Sequence, residues 1–144
     1  MQREVGQYEA ALASAREAVT IHRTLAAAQP DTFLPSLANS LNNLSQRQSE
    51  LGDREGALAS AREAVGLRRR LADTRPNAFL HKLARSLTVF AMRLADLGRS
   101  KEALTPIQEA ISELAKERSG LRRSERAVVR HRLLVRRERR FILS

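Results

Sequence analysis

The 144-residue sequence has no cysteine, no tryptophan, one tyrosine, four phenylalanines, six glycines and four prolines. Without cysteine there is no disulfide framework, no thiolate metal site and no cysteine nucleophile. With three histidines, an all-histidine zinc site would need every one of them. Aromatic and β-branched residues, the material of strands, are scarce, which excludes an all-β fold. No apolar run approaches the roughly eighteen residues that a membrane-crossing helix requires. The opening Met-Gln-Arg-Glu-Val-Gly lacks the basic-then-apolar order of a secretion signal. The length accommodates one domain or a short repeat array, and the expectation is a soluble cytoplasmic chain.

Twenty-two alanines and twenty-one leucines dominate what is present, and these are the strongest intrinsic helix formers. Charge is unevenly placed. Of 26 basic residues, 23 are arginine and three are lysine, a bias that a GC-rich genome produces as readily as a function does. Residues 116–144 hold eleven basic and three acidic residues, a net of +8, whereas residues 1–115 hold fifteen and thirteen, a net of +2. A nearly neutral body thus carries a strongly basic C-terminal segment.

An internal repeat of 46 residues organises that body. Ala11-Leu12-Ala13-Ser14-Ala15-Arg16-Glu17-Ala18-Val19 recurs unchanged from Ala57 to Val65, and Gly6, Gly52 and Gly98 share one position. Between residues 6–51 and 52–97, 23 of 46 positions are identical. A weaker third copy begins at Gly98 with Ala103-Leu104 and Ala110-Ile111.

Each copy reads as two helices. Leu34, Leu37, Ala38, Leu41, Leu44 and Leu51 recur at the spacing of one helical face. Gly52 stops that helix and Asp53 is placed to cap the next. Ala57, Leu58, Ala61, Ala64, Val65, Leu67 and Leu71 mark a longer second helix, which must end before Pro76. The reading places a linker around Pro30 and Pro76, Pro35 in the first turn of its helix, and a kink or late start at Pro106. Alanines three or four apart let antiparallel helices approach closely. Because one hairpin cannot bury its apolar stripe alone, the units must stack.

These residues resemble the tetratricopeptide repeat. Leu41, Leu44 and Ser45, then Leu87, Phe90 and Ala91, stand for the large–large–small cluster of its first helix. Gly52-Asp53 stands for its turn, and Ala57 and Ala64 for the paired alanines of its second helix. The likeness covers roughly residues 4–115. The usual period is about 34 residues, so 46 resembles the long-repeat branch seen in kinesin light chains and many bacterial arrays. The aromatic positions of the first helix are held by Leu41 and Gln48, then Leu87 and Leu94, and the family's proline is displaced outward.

The expected fold is all-α, a right-handed solenoid of antiparallel helix hairpins, incomplete at both ends. Its array spans 1–117, as a partial repeat 1–30 and repeats 31–76 and 77–117, followed by a basic helix or tail over 118–144. Glu4-Val5-Gly6 matches Glu50-Leu51-Gly52, which predicts the last turn of an earlier helix there. An unpartnered face on helix 7–28 makes self-association through that end an expectation. The repeat phase predicts another first helix at about 126–143, where Val129, Leu133 and Leu143 keep apolar positions but Arg130, Arg136 and Arg137 break the pattern. A cap-like helix on the stack is the reading preferred.

No catalytic constellation, phosphate loop or metal-ligand spacing is present, so neither enzyme activity, a metal nor a cofactor is expected. His22, His81 and His131 read as surface variation. Glu55, Glu63 and Glu109 read as solvated i, i+4 partners of arginines. The resemblance implies that first helices line a groove for a protein or peptide ligand. Asn39, Asn42, Asn43, Gln46 and Ser49 then form its polar face in one copy, and Arg85, Thr88, Val89 and Met92 in the next. An amide such as Asn43 both donates and accepts, which suits a ligand backbone, and Arg85 suits an acidic side chain or a C-terminal carboxylate. Val89 at the position of Asn43 interrupts any amide ladder.

A rival reading assigns Arg122, Arg123, Arg126, Arg130, Arg136 and Arg137 to a polyanion, nucleic acid or an anionic membrane. Arg130 and Arg137 share one helical face while Arg132, Arg136 and Arg139 lie on another, a diffuse pattern. Neither nucleic acid nor a membrane is therefore the partner expected first. A third reading makes the chain one piece of a larger multidomain signalling protein.

Overall fold

Two kinds of break divide the chain, and the residues at each dictate its form. Proline has no backbone donor and a preset φ, so the first position of a helix suits it. Glycine alone enters a left-handed conformation without strain, which suits a helix C-terminus. The structure, a computed structural model, describes residues 2–143. Among the described residues there are five helices and no strand: α1 (Gln2–Ala28), α2 (Pro30–Glu50), α3 (Arg54–Thr74), α4 (Pro76–Asp96) and α5 (Ser100–Ile142).

Pro30 and Pro76 open α2 and α4, and a single extended residue, Gln29 (φ −137°) or Arg75 (φ −135°), separates each from the helix before it. No linker forms, and Pro35 falls in the second turn of α2. The other break uses Gly52 (φ 80°) and Gly98 (φ 74°). Around Gly52, Asp53 N donates to Gln48 O at 2.9 Å and Gly52 N to Ser49 O at 3.0 Å, the paired bonds of a Schellman motif. Arg99 and Gly98 repeat them on Leu94 and Ala95. Asp53 then caps α3, accepting from Gly56 N at 3.0 Å.

Each helix packs against its neighbours in sequence, an all-α repeat solenoid. Ala57, Ala61 and Ala64 are fully buried, which brings the α3 backbone up against α2. Ser45, also fully buried, donates to Ala57 O at 2.7 Å across that contact. Leu41 and Leu87 are buried at the centres of the two first helices. One apolar cluster joins α1, α2 and Ala64 of α3, and another joins α3, α4 and Ala110 of α5. Among the described residues, α2 and α4 approach within 8 Å between Cα atoms, whereas α1 and α3, and α3 and α5, do not. The first helices therefore form the tighter, inner side of the array.

The two ends differ from expectation. No turn forms at Gly6, because α1 runs unbroken from Gln2 to Ala28. Only residues 2–5 precede that glycine in the described structure, too few to pack as a preceding helix. The outward side of α1 leaves Val5, Tyr8, Ile21 and Leu25 exposed. At the other end α5 continues through residue 117 to Ile142, so no separate helix starts near 126. The reason is one residue: where the repeat phase places Pro30 and Pro76, the third copy has Arg122. The extension cannot cap the stack either. Ala84 and Ala91, each 3% exposed, correspond to Arg130 and Arg137, and a charge at such a contact would be buried without a partner. Residues 118–143 are accordingly exposed throughout. Pro106 lies in the second turn of α5 with the helix start at Ser100, so the start is not delayed. Among the described residues no helix is long and apolar enough to cross a membrane.

Close helix contact sets the first prediction. Ala61→Leu should lower the unfolding free energy by about 1–3 kcal/mol through overpacking, whereas Ala59→Leu on the exposed side should change it by less than about 0.5 kcal/mol, both read from urea unfolding.

Candidate functional site

On the inner side, α2 and α4 flank a polar cleft of about 280 Å³ lined by Asn39, Asn42, Asn43, Gln46, Arg68, Arg85, Val89 and Arg93. Six of the seven groove residues expected from sequence thus come together. Met92 does not line it, and stands 52% exposed beside it.

Ser40 on α2 and Ser86 on α4 occupy the same repeat position and interrupt otherwise apolar helix faces. A buried hydroxyl needs a partner, and α1 and α3 each send a polar side chain to meet it. His22 Nδ1 lies 2.5 Å from Ser40 Oγ. Arg68, its equivalent one repeat later, donates through Nη1 to Ser86 Oγ at 2.8 Å and Lys82 O at 3.1 Å, and through Nη2 to Asn39 Oδ1. Asn42 Nδ2 also donates to Ser86 Oγ, at 2.9 Å. Asn42 Oδ1 is buried with no hydrogen-bond partner among the described residues.

Arg93 closes the other end of the cleft. Its Nε donates to Ser45 Oγ at 3.0 Å and its Nη1 to Ser49 Oγ at 3.2 Å. Asp96 Oδ2 lies 3.2 Å from the same Nη1. Asn43 accepts from Arg47 Nε at 3.4 Å, a marginal bond at the rim. Arg85 is exposed at the mouth.

The electrostatics are one-sided. Three guanidinium groups and no carboxylate line the cleft. Arg93 is paired with Asp96, but Arg68, only 5% exposed, meets neutral oxygens alone among the described residues. Burial, and after it the charge of Arg85, lowers the Arg68 pKa from its ordinary value. Arginine nevertheless stays protonated at neutral pH, so the folded state carries a steady penalty there and no pH switch.

Neither Arg68 nor Arg93 was expected in the groove from sequence, where His22 read as surface variation with Arg68 at its equivalent position. The usable signal was the repeated serine, since Ser40 and Ser86 on a buried face each demand a polar partner. His22 is correspondingly part-buried and no mere surface variant. His81 is exposed, 3.9 Å from Glu117, and His131 is exposed on α5. The glutamates also differ from expectation. Glu63 pairs with Arg23 of α1 and Glu109 with Arg69 of α3, both at 2.5 Å. These repeat-related bridges join the outer helices, where i, i+4 pairs had been expected. Among the described residues no group of three or more His, Cys, Asp or Glu could hold a metal ion.

A family model for the tetratricopeptide repeat matches residues 37–75, most of α2 with the Gly52 turn and α3. A model for the family of anaphase-promoting complex subunit 5 matches residues 1–29 and 77–123, α1 and then α4 with the first half of α5. Together they account for every helix pair of the array. Over residues 37–75 the chain is similar to the tetratricopeptide repeat family. No curated protein matches this chain. Such repeats generally mediate contacts between proteins and are typically scaffolds without catalytic activity.

His22 shows that this position takes an imidazole against a serine. Arg68→His should therefore keep the fold, with unfolding free energy within about 1 kcal/mol of the parent by urea unfolding. Arg68→Leu should lower it by more than that, because Ser86 and Asn39 lose their donor.

Proposed function

We propose that this protein is a cytoplasmic, non-enzymatic interaction module of the long-repeat branch, binding an acidic extended peptide or the acidic side of a partner helix between α2 and α4. The observation that carries this is the buried Arg68 guanidinium, which has no carboxylate partner among the described residues. Its Nε proton and the second Nη2 proton are unused by any described residue, and Arg85 stands at the mouth to complete a pair of cations. An incoming carboxylate would gain charge-assisted hydrogen bonds and offset a charge already removed from water. The bare Asn42 Oδ1 suits a ligand N–H beside it. A cleft of about 280 Å³ takes one or two side chains, with the rest of the ligand lying along Asn39, Asn43, Gln46 and Val89.

A labelled decapeptide alternating Glu and Ala should bind the full chain at least about tenfold more tightly than its Gln–Ala counterpart. That ratio corresponds to about 1.4 kcal/mol, just under the ~1.5–3 kcal/mol of a hydrogen bond to a charged group. Arg85→Ala and Arg68→His should each remove the preference, while Arg126→Glu on the α5 extension should leave it. Equal binding of the two peptides, or loss only with Arg126→Glu, would overturn the reading.

The exposed side of α1, with Val5, Tyr8, Ile21 and Leu25, supports self-association as a second contact. Light scattering should then show mass rising with concentration, and Ile21→Glu should hold the chain at monomer mass.

A further inference from the structure

The α5 extension carries more unbalanced charge than any other part of the molecule, and its uninterrupted helix fixes where each charge points. Ala103, Pro106 and Ala110 are the buried residues of α5 and define the side facing the array. Carried onward at about 100° per residue, that side continues through Leu121, Ser124, Val128, Val135 and Ile142, with Arg132 and Arg139 among them. On the same wheel, Arg122, Arg123, Arg126, Arg130, Arg137 and Arg140 fall within about 60° of the opposite direction. Arg122, Arg126, Arg130, Arg137 and Arg140 thus form a row facing away from the array with Leu133 between them, while Arg123 lines a cleft with Asp73, Asn77 and Leu80. Residues 118–142 span about 37 Å at 1.5 Å per residue. All six arginines are exposed, and none makes an ion pair among the described residues.

We propose that this row is a docking arm for the phosphate backbone of double-stranded nucleic acid, independent of base sequence. Three features select that partner. The arginine side is unobstructed, so a rigid rod broader than the helix can reach it, and a helix of about 10–12 Å diameter matches a major groove about 12 Å wide. A bilayer would instead engage the apolar side, and the array body occupies the space below that side over the first half of α5. Residues 118–142 hold a single phenylalanine, Phe141, at the far end of the helix, so the series of stacking platforms that single strands require is missing. The row also lacks Asn and Gln, which with its even spacing favours phosphate contact over adenine readout.

The test uses the full-length chain and a labelled 20-base-pair DNA duplex of mixed sequence, followed by fluorescence anisotropy. With five phosphates met, log K should fall against log salt with a slope of about −4.5, a loss of about five-hundredfold between 50 and 200 mM. Arg122→Glu, Arg126→Glu and Arg130→Glu together should weaken binding at least a hundredfold at 50 mM and reduce the slope to about −2. The same charge change at Arg3, Arg16 and Arg70 on the array should weaken it less than tenfold. An unlabelled duplex of unrelated sequence should compete equally. Unchanged circular dichroism and melting of the arm variant would confirm that the fold survives, since those side chains contact nothing in the array. No duplex binding at 50 mM, equal loss in both triple variants, or preference for vesicles of phosphatidylcholine with one-third phosphatidylglycerol over the duplex would each overturn the proposal.

Discussion

Close approach of helices through small side chains is the constraint on which the rest depends. Ala57, Ala61 and Ala64 have no exposed surface, and Ser45 faces them with none. At such separations a methyl or hydroxymethyl group fills the interface, and anything larger separates the helices. The requirement recurs every 46 residues because each hairpin meets the next in the same way. It also places serines on buried faces, where alanine would have satisfied packing alone. Each serine then needs a polar neighbour, and that need draws His22, Arg68 and Arg93 toward the inner side. The cleft is a product of the packing rule as much as of any ligand.

Arginine shows how far neighbours decide what a residue does. Arg23 and Arg69 sit on outer helices opposite a glutamate one helix away, and each forms an exposed bridge whose contribution is at most about 1 kcal/mol. Arg93 lies 9% exposed among two serines and Asp96, so its charge is balanced locally. Arg68 is buried as deeply without a balancing carboxylate, and burial and Arg85 together disfavour its charge. The arginines of the α5 extension remain in water. One residue type, abundant for reasons of composition, thus supplies bridges, a balanced floor, an unbalanced floor and a free row.

Much of this was legible in the sequence. Gly52, Asp53, Pro76 and the alanine spacing mark helix boundaries because each acts locally, through φ, a missing donor or a cap. The groove residues Asn39, Asn42, Asn43, Gln46, Arg85 and Val89 were legible from repeat phase, since equivalent positions face equivalent ways. Arg68 was not, because whether a long side chain points to solvent or folds inward depends on a serine eighteen residues away. The cross-helix partners of Glu63 and Glu109 were hidden for the same reason. They lie 40 residues from their arginines, and helix-local rules see only neighbours three or four apart.

The C-terminal extension shows the limit of repeat phase itself. Val129, Leu133 and Leu143 keep the apolar positions of a first helix, yet no hairpin forms, because phase is only a correlation and a turn needs a cause. Pro30 and Pro76 supply that cause by removing a donor and restricting the residue before them. Arg122 removes nothing, so the backbone of α5 continues its hydrogen-bond ladder past the end of α4. Once it does, Arg130 and Arg137 no longer face a partner helix that they could not have packed against. They turn to solvent on the side away from the array. Replacing one proline and two alanines with arginine therefore converts a position in the stack into a projecting charged helix, and the same three changes account for its freedom and for three of the eleven basic residues in 116–144.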